Sequence, residues 1–77
     1  MVTLLDKIGV VAVGTGYATE YLHLPRLVNI SQVRMVAIVS RSEERAKLLA
    51  KRFGVETWYK DLNQALRRED VHVVVIN

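Results

Sequence analysis

Lys7-Ile8-Gly9-Val10-Val11-Ala12-Val13-Gly14-Thr15-Gly16-Tyr17-Ala18-Thr19 is the stretch that decides the fold. Its first part, Ile8–Val13, is an unbroken apolar run rich in β-branched residues. Such a run suits a strand covered on both faces, as in the middle of a parallel sheet. The run passes directly into Gly14-Thr15-Gly16-Tyr17-Ala18-Thr19, a G-x-G-x-x-T pattern. That differs by one residue from G-x-G-x-x-G/A, the strand–turn–helix pattern that holds a dinucleotide. Gly14 permits a tight turn out of the strand. Gly16 lets a pyrophosphate approach the backbone, and a helix opening there aims unpaired N–H groups at phosphate oxygens. Thr19 departs from the pattern, because the third position normally takes Gly or Ala for close helix–strand packing. A glycine pair after a strand is also a common plain turn. The strand before it and the β-α-β spacing around it favour the phosphate reading.

Outward from this stretch, strand and helix patterns alternate. Val33–Val39 and residues 71–76 are further apolar runs, read as buried strands. Val55-Glu56-Thr57-Trp58-Tyr59 alternates more, as an edge strand does. Glu43–Phe53 carries Ala46, Leu49, Ala50 and Phe53 on one helical stripe. Glu43 and Glu44 lie in its first turn and Gly54 follows it as a C-terminal cap. Asp61-Leu62-Asn63-Gln64 is a capping pattern that opens a short helix with Leu62, Ala65 and Leu66 inward. Residues 17–29 form a weaker helix, with Leu22, Leu27 and Val28 apolar and Pro25 bending or breaking it. The order β-α-β-α-β-α-β predicts an α/β fold, a parallel sheet with helices on its faces, in the strand order 3-2-1-4 if it follows the doubly wound pattern.

Composition narrows the function classes. The chain has 77 residues, 51% hydrophobic and 25% charged, with a net charge of +3. That size suits one small domain, and the scattered charge suits an anionic small ligand rather than nucleic acid. There is no cysteine, which removes disulfides and thiolate metal sites, and His23 and His72 lack metal-ligand spacing. No targeting segment or membrane-length run is visible, so a cytoplasmic location is the expectation.

The end of the second strand discriminates between cofactors. NAD sites place Asp or Glu there for the ribose 2′-hydroxyl. This chain has Ser40-Arg41-Ser42. Without a carboxylate, a 2′-phosphate meets no repulsion. Ser40 and Ser42 offer hydroxyls, and Arg41 and Arg45 offer guanidinium groups to stack on adenine or pair with phosphate. The plainer alternative is that Ser40 or Ser42 caps the next helix and the arginines are solvated. NADP is therefore expected over NAD.

The ordered landmarks Lys7 through Gly16, His23-Leu24-Pro25, Val39-Ser40-Arg41-Ser42 with Arg45-Ala46, Phe53-Gly54-Val55, Tyr59-Lys60-Asp61-Leu62 and Asp70-Val71 with Val74-Val75-Ile76 resemble the start of the Gfo/Idh/MocA oxidoreductases. These include glucose-fructose oxidoreductase, inositol dehydrogenase and related sugar dehydrogenases. The resemblance spans residues 7–77. It implies that residues 1–77 are an incomplete dinucleotide-binding Rossmann domain, followed in the family by a substrate domain. In the family the Ser-Arg pair goes with NADP, and hydride passes between nicotinamide and a sugar carbon. The family's Glu-Lys-Pro motif and its catalytic histidine or aspartate have no counterpart in these residues. No catalytic or metal-binding residue is therefore assigned here.

Other residues have bland readings beside functional ones. His23 is read as structural, and His72 as a space-filling residue inside a strand. Tyr17 either packs at the helix start or lies over the cofactor. Trp58 and Tyr59 cover the sheet edge, while Lys51, Arg52, Arg67 and Arg68 are solvated helix faces. Asn77 ends the fourth strand at the switch-point crevice, where its amide would meet the cofactor. The outer edge of residues 71–76 is left unpaired and apolar, which invites self-association. Two alternatives to an oxidoreductase part stay open: a nucleotide-sensing module without catalysis, and a structural fragment with no activity.

Overall fold

The structure, a computed structural model, describes residues 7–16 and 19–76. Four parallel strands are arranged in the order β3-β2-β1-β4: β1 is Ile8–Val13, β2 Val33–Val39, β3 Thr57–Tyr59 and β4 Val73–Ile76. The expected strand order and parallel pairing are thus present. Three helices follow β1, β2 and β3: α1 is Leu24–Leu27, α2 Glu43–Phe53 and α3 Leu62–Leu66.

The sheet separates two cores. On one face Val10, Ala12, Met35 and Ile38 pack with Leu24 and with Ala46, Leu49 and Ala50 of α2. On the other, Val11, Val36, Ala37 and Val39 pack with Ala65 of α3. Double coverage explains the continuous apolar runs of β1 and β2. Strict alternation is broken once in β2. Pairing with β1 steps from Val10↔Met35 to Val11↔Ala37, so Val36 is an extra residue in the ladder. This is a β-bulge. It puts Val36 and Ala37 on the same side.

The first helix differs from expectation. A five-residue π-turn, Thr19–His23, precedes the single turn of α1, which contains Pro25. Proline has no N–H to donate, and its ring clashes with the carbonyl four residues back. Widening the preceding turn relieves that clash. Of the apolar residues here Leu24 is fully buried and Leu27 packs against the core, whereas Leu22 and Val28 are exposed. Thr19 is also fully buried, so the fold accommodates the residue that departs from the fingerprint.

Helix α2 follows its sequence signals. Ser42 is its N-cap, with its hydroxyl accepting the Arg45 N–H at 3.4 Å, and Gly54 is its C-cap. Asp61 caps α3 by accepting the Asn63 N–H at 2.9 Å. Leu66 is half exposed rather than inward, and Ala65 is the buried residue of this five-residue helix.

Strand β4 is shorter than expected. Val71 and His72 precede it, and Val73 and Ile76 are exposed at 45% and 68%. His72 fills no space inside the strand. Its Nδ1 accepts the Gly9 N–H at 2.8 Å, and its own N–H donates to the Gly9 carbonyl at 2.8 Å. A side chain thereby extends the β1–β4 ladder by one step. Nearby, Arg68 holds both Asp70 oxygens at 2.8 Å and donates to the Tyr59 hydroxyl at 3.2 Å. Arg34 forks onto Glu56 at 2.7 and 2.8 Å and reaches Asp70 at 3.3 Å. Arg68 is therefore not a solvated helix residue. Its partner Asp70 lies beyond the end of α3, so helical spacing cannot reveal the pair. The Arg68 hydrogen bonds hold the Asp70 carboxyl down at about 2, below its ordinary 3.8.

Candidate functional site

The carboxyl ends of β1 and β2 lie side by side, with the Gly14 N–H donating to the Val39 carbonyl at 2.8 Å. Beyond this bond the two chains part, and a cleft opens at the sheet's carboxyl edge. Clefts at this edge are where α/β sheets bind ligands. Gly14 makes its turn at φ 105°, a conformation that side chains disfavour, as the fingerprint requires. A Cβ added to Gly16 would meet nothing within 4 Å, so the second glycine faces open space and a ligand backbone has room there. The Glu20 N–H donates to the Gly16 carbonyl at 3.1 Å, so helical bonding begins at Gly16.

The Ser-Arg-Ser stretch joins this turn. The Ser40 and Thr15 hydroxyls are 3.0 Å apart, linking the end of β2 to the glycine turn. Ser40 Oγ also accepts the Ser42 N–H at 3.1 Å, and the Ser40 N–H donates to the Tyr59 carbonyl at 3.0 Å. Of the two serines expected to cap α2, Ser42 does so, and Ser40 closes the turn before it. Arg41 is exposed.

A cavity of about 560 Å³ is lined by Val13, Gly14, Val39, Ser40, Arg41 and Ser42, and closed from the β3 side by Lys60, Asp61 and Leu62. It brings together the phosphate turn and the Ser-Arg-Ser stretch. Hydroxyls, a guanidinium and an ammonium on an apolar floor, beside an Asp61 carboxylate that caps α3, suit a phosphorylated nucleoside. A second cavity, of about 600 Å³, lies against Trp58, Tyr59, Lys60, Asp61, Gln64 and Arg67 and does not reach the glycine turn.

Arg45 reaches the turn from behind. Its guanidinium donates to the Thr15 carbonyl at 3.0 Å and to Glu20 at 2.5 Å. Arg52 holds the other Glu20 oxygen at 2.6 Å, so it too is more than a solvated helix residue. The Glu20 side chain is 10% exposed. The Arg45 hydrogen bond, opposed by burial, leaves the Glu20 carboxyl below its ordinary range. Glu20 and Lys60 were not among the sequence candidates. Their partners come from other elements, and no local spacing marks them. Lys60 does directly precede the Asp61 cap, which is a usable hint.

Tyr17, Ala18 and Asn77, also sequence candidates, lie outside the described residues. His23 precedes α1 and makes no side-chain capping bond. Among the described residues no group of three His, Cys, Asp or Glu side chains is placed to hold a metal. No described helix is long and apolar enough to cross a membrane.

Known proteins are similar to this chain in sequence and fold. A 4-carboxy-2-hydroxymuconate-6-semialdehyde dehydrogenase of Sphingobium sp. is 41% identical over 54 residues, 70% of this chain and 17% of that protein. GenD2 from gentamicin A biosynthesis, in complex with NAD, superposes with a TM-score of 0.86 at 29% identity, over 99% of this chain and 21% of its own. KijD10, a 3-ketoreductase from Actinomadura kijaniata in complex with NADP, superposes at 0.80 with 32% identity, over 90% of this chain and 22% of its own. The chain spans about a fifth of the length of these relatives. The sheet and glycine turn are those of dinucleotide-binding domains, and a nicotinamide dinucleotide is the cofactor class they support. The family described as an oxidoreductase family with an NAD-binding Rossmann fold matches residues 8–77, and this chain belongs to it: the Gfo/Idh/MocA oxidoreductases.

Proposed function

We propose that residues 1–77 are the NADP(H)-binding part of an oxidoreductase that moves hydride between a nicotinamide and a sugar or polyol-like substrate. The observation that carries the NADP reading is the end of β2. Ser40, Arg41 and Ser42 line the cleft where an NAD site would place a carboxylate, and Lys60 adds a second cation. In this reading Gly14, Thr15 and Gly16, with Tyr17 and Ala18, receive the pyrophosphate. Ser40, Ser42 and Arg41 receive the 2′-phosphate, Arg45 adds positive charge behind the turn, and Asn77 meets the nicotinamide half. When bound, the cofactor supplies or accepts the hydride. The chain's own residues bind and orient it, and none of them is assigned a catalytic role. The sugar-like substrate rests on resemblance to sugar dehydrogenases and on relatives such as the 3-ketoreductase KijD10.

The test is calorimetric titration of the chain with NADPH and with NADH. NADPH should bind more tightly, and Arg41→Ala should reduce that preference by about tenfold, the size of one charge-assisted contact. Ser40→Asp should reverse it by placing a carboxylate against the 2′-phosphate. Equal binding of the two cofactors would remove the NADP assignment and leave the dinucleotide site. Binding of neither by a folded chain would favour the structural-fragment reading.

A further inference from the structure

The Glu20 side chain is nearly buried beneath the glycine turn, yet it touches no part of the cleft. Its two oxygens are divided between Arg45 at 2.5 Å and Arg52 at 2.6 Å. The same Arg45 nitrogen that meets Glu20 also donates to the Thr15 carbonyl at 3.0 Å. A buried carboxylate, a guanidinium and one peptide carbonyl of the phosphate turn therefore form a single chain of bonds. The described peptides are all trans, so fixing the Thr15 carbonyl toward Arg45 directs the Gly16 N–H the opposite way.

We propose that Glu20 is a positioning residue for the dinucleotide: it aims Arg45 at the Thr15 carbonyl and so presets the Gly16 peptide for the pyrophosphate. The proposal rests on the dinucleotide reading of the glycine turn. It runs against simple charge counting. Removing an acid beside an anion site should tighten anion binding. Here its removal frees Arg45, the turn loses its support, and binding weakens. The pyrophosphate is common to both cofactors, so NADPH and NADH should suffer equally.

The test uses Glu20→Met, which keeps volume and removes both acceptor oxygens. Arg45→Met removes the donor to Thr15, and the double variant joins the two. Arg34→Met serves as a control, since it breaks an ion cluster at the opposite end of the strands. Folding is checked by circular dichroism, and NADPH and NADH are titrated against each variant. Each single variant should weaken both cofactors by about tenfold, the size of one charge-assisted bond, with their ratio unchanged. The double variant should bind like either single one, because the two residues act as a unit. Arg34→Met should lower the melting temperature without moving either dissociation constant. If Glu20→Met fails to fold, Arg45→Met and its cofactor ratio carry the test. Tighter or unchanged binding in Glu20→Met overturns the proposal. So does a loss in Arg45→Met confined to NADPH, which would place Arg45 on the 2′-phosphate instead. Binding of neither cofactor by the unaltered chain overturns the dinucleotide reading on which the proposal stands.

Discussion

Two glycines of the same segment should respond in opposite ways to the same substitution. Gly9 is buried in β1 at the point where the chain entering β4 crosses it. A Cβ there would overlap the Asp70 carbonyl oxygen, and would lie 2.9 Å from the carbonyl carbon and 3.0 Å from Val36 Cγ2. Backbone on one side and a packed core on the other leave it nowhere to go. In Gly9→Ala the Asp70–His72 segment must lift away, breaking the Gly9 N–H bond to His72 Nδ1 and the His72 N–H bond to the Gly9 carbonyl. Two lost bonds at about 1 kcal/mol each, plus about 1–3 kcal/mol for a buried group left unpaired, give a loss of about 3–5 kcal/mol. A chain of 77 residues has roughly 4–12 kcal/mol of stability in total. The melting temperature should therefore fall by at least about 12 °C, at about 4–8 °C per kcal/mol. Gly16→Ala should change stability by less than about 0.5 kcal/mol, because its Cβ enters open space. It should instead weaken dinucleotide binding at least about tenfold, by standing where the pyrophosphate approaches. Urea unfolding followed by circular dichroism reads the first effect, and calorimetry the second. A loss below about 1 kcal/mol in Gly9→Ala would refute the argument, since it would mean that the β4 approach can shift without cost.

Acid should remove a specific part of the stability. Asp70 titrates at about 2 in the folded chain against an ordinary 3.8. The unfolded chain binds more protons in that interval, so stability rises with pH across it. The contribution is complete above the ordinary value and lost as pH falls through about 2. Asp70→Asn should thus be less stable than the unaltered chain at neutral pH, with the gap mostly closed at pH 2 and gone below it, read from urea midpoints across that range. The outer edge of β4, where Val73 and Ile76 are exposed, should make the chain associate with itself as concentration rises. Ile76→Lys should suppress this in sedimentation velocity, and an unchanged profile would exclude that edge.

What was legible in the sequence were the features with a local cause. β1, β2 and α2 carry their periodicity and caps within a few residues, and Gly14 announces its turn. The contiguity of Gly14 with the end of β2 followed from the strand order 3-2-1-4, which the doubly wound pattern supplies and alternation alone does not. The rest depends on neighbours distant in sequence. Glu20 is separated by 25 and 32 residues from the arginines that hold it. His72 reads as part of an apolar strand, but its ring serves as a backbone acceptor for a residue 63 positions away. The π-turn before α1 was half visible: Pro25 signals a break, not how the backbone widens to absorb it. The apolar run of β4 resembles that of a central strand, and only the strand order 3-2-1-4 marked its outer edge as unpaired.

The extra residue at Val36 has a consequence for which way each end of β2 faces. Val33 and Met35 pack on the α2 side, so Arg34 between them points to the α3 side. Val39 packs on the α3 side, so Ser40 after it turns to the α2 side, toward Thr15. Arg34 and Ser40 are an even number of residues apart and would share one face of a regular strand. The bulge acts as a half-turn inserted mid-strand, so that Arg34 serves an ion cluster on one face while the Ser40 hydroxyl meets Thr15 on the other. Absorbing Val36 into a regular ladder would turn Ser40 to the Arg34 side, whereas deleting it would leave the two five residues apart and on opposite faces as they are now.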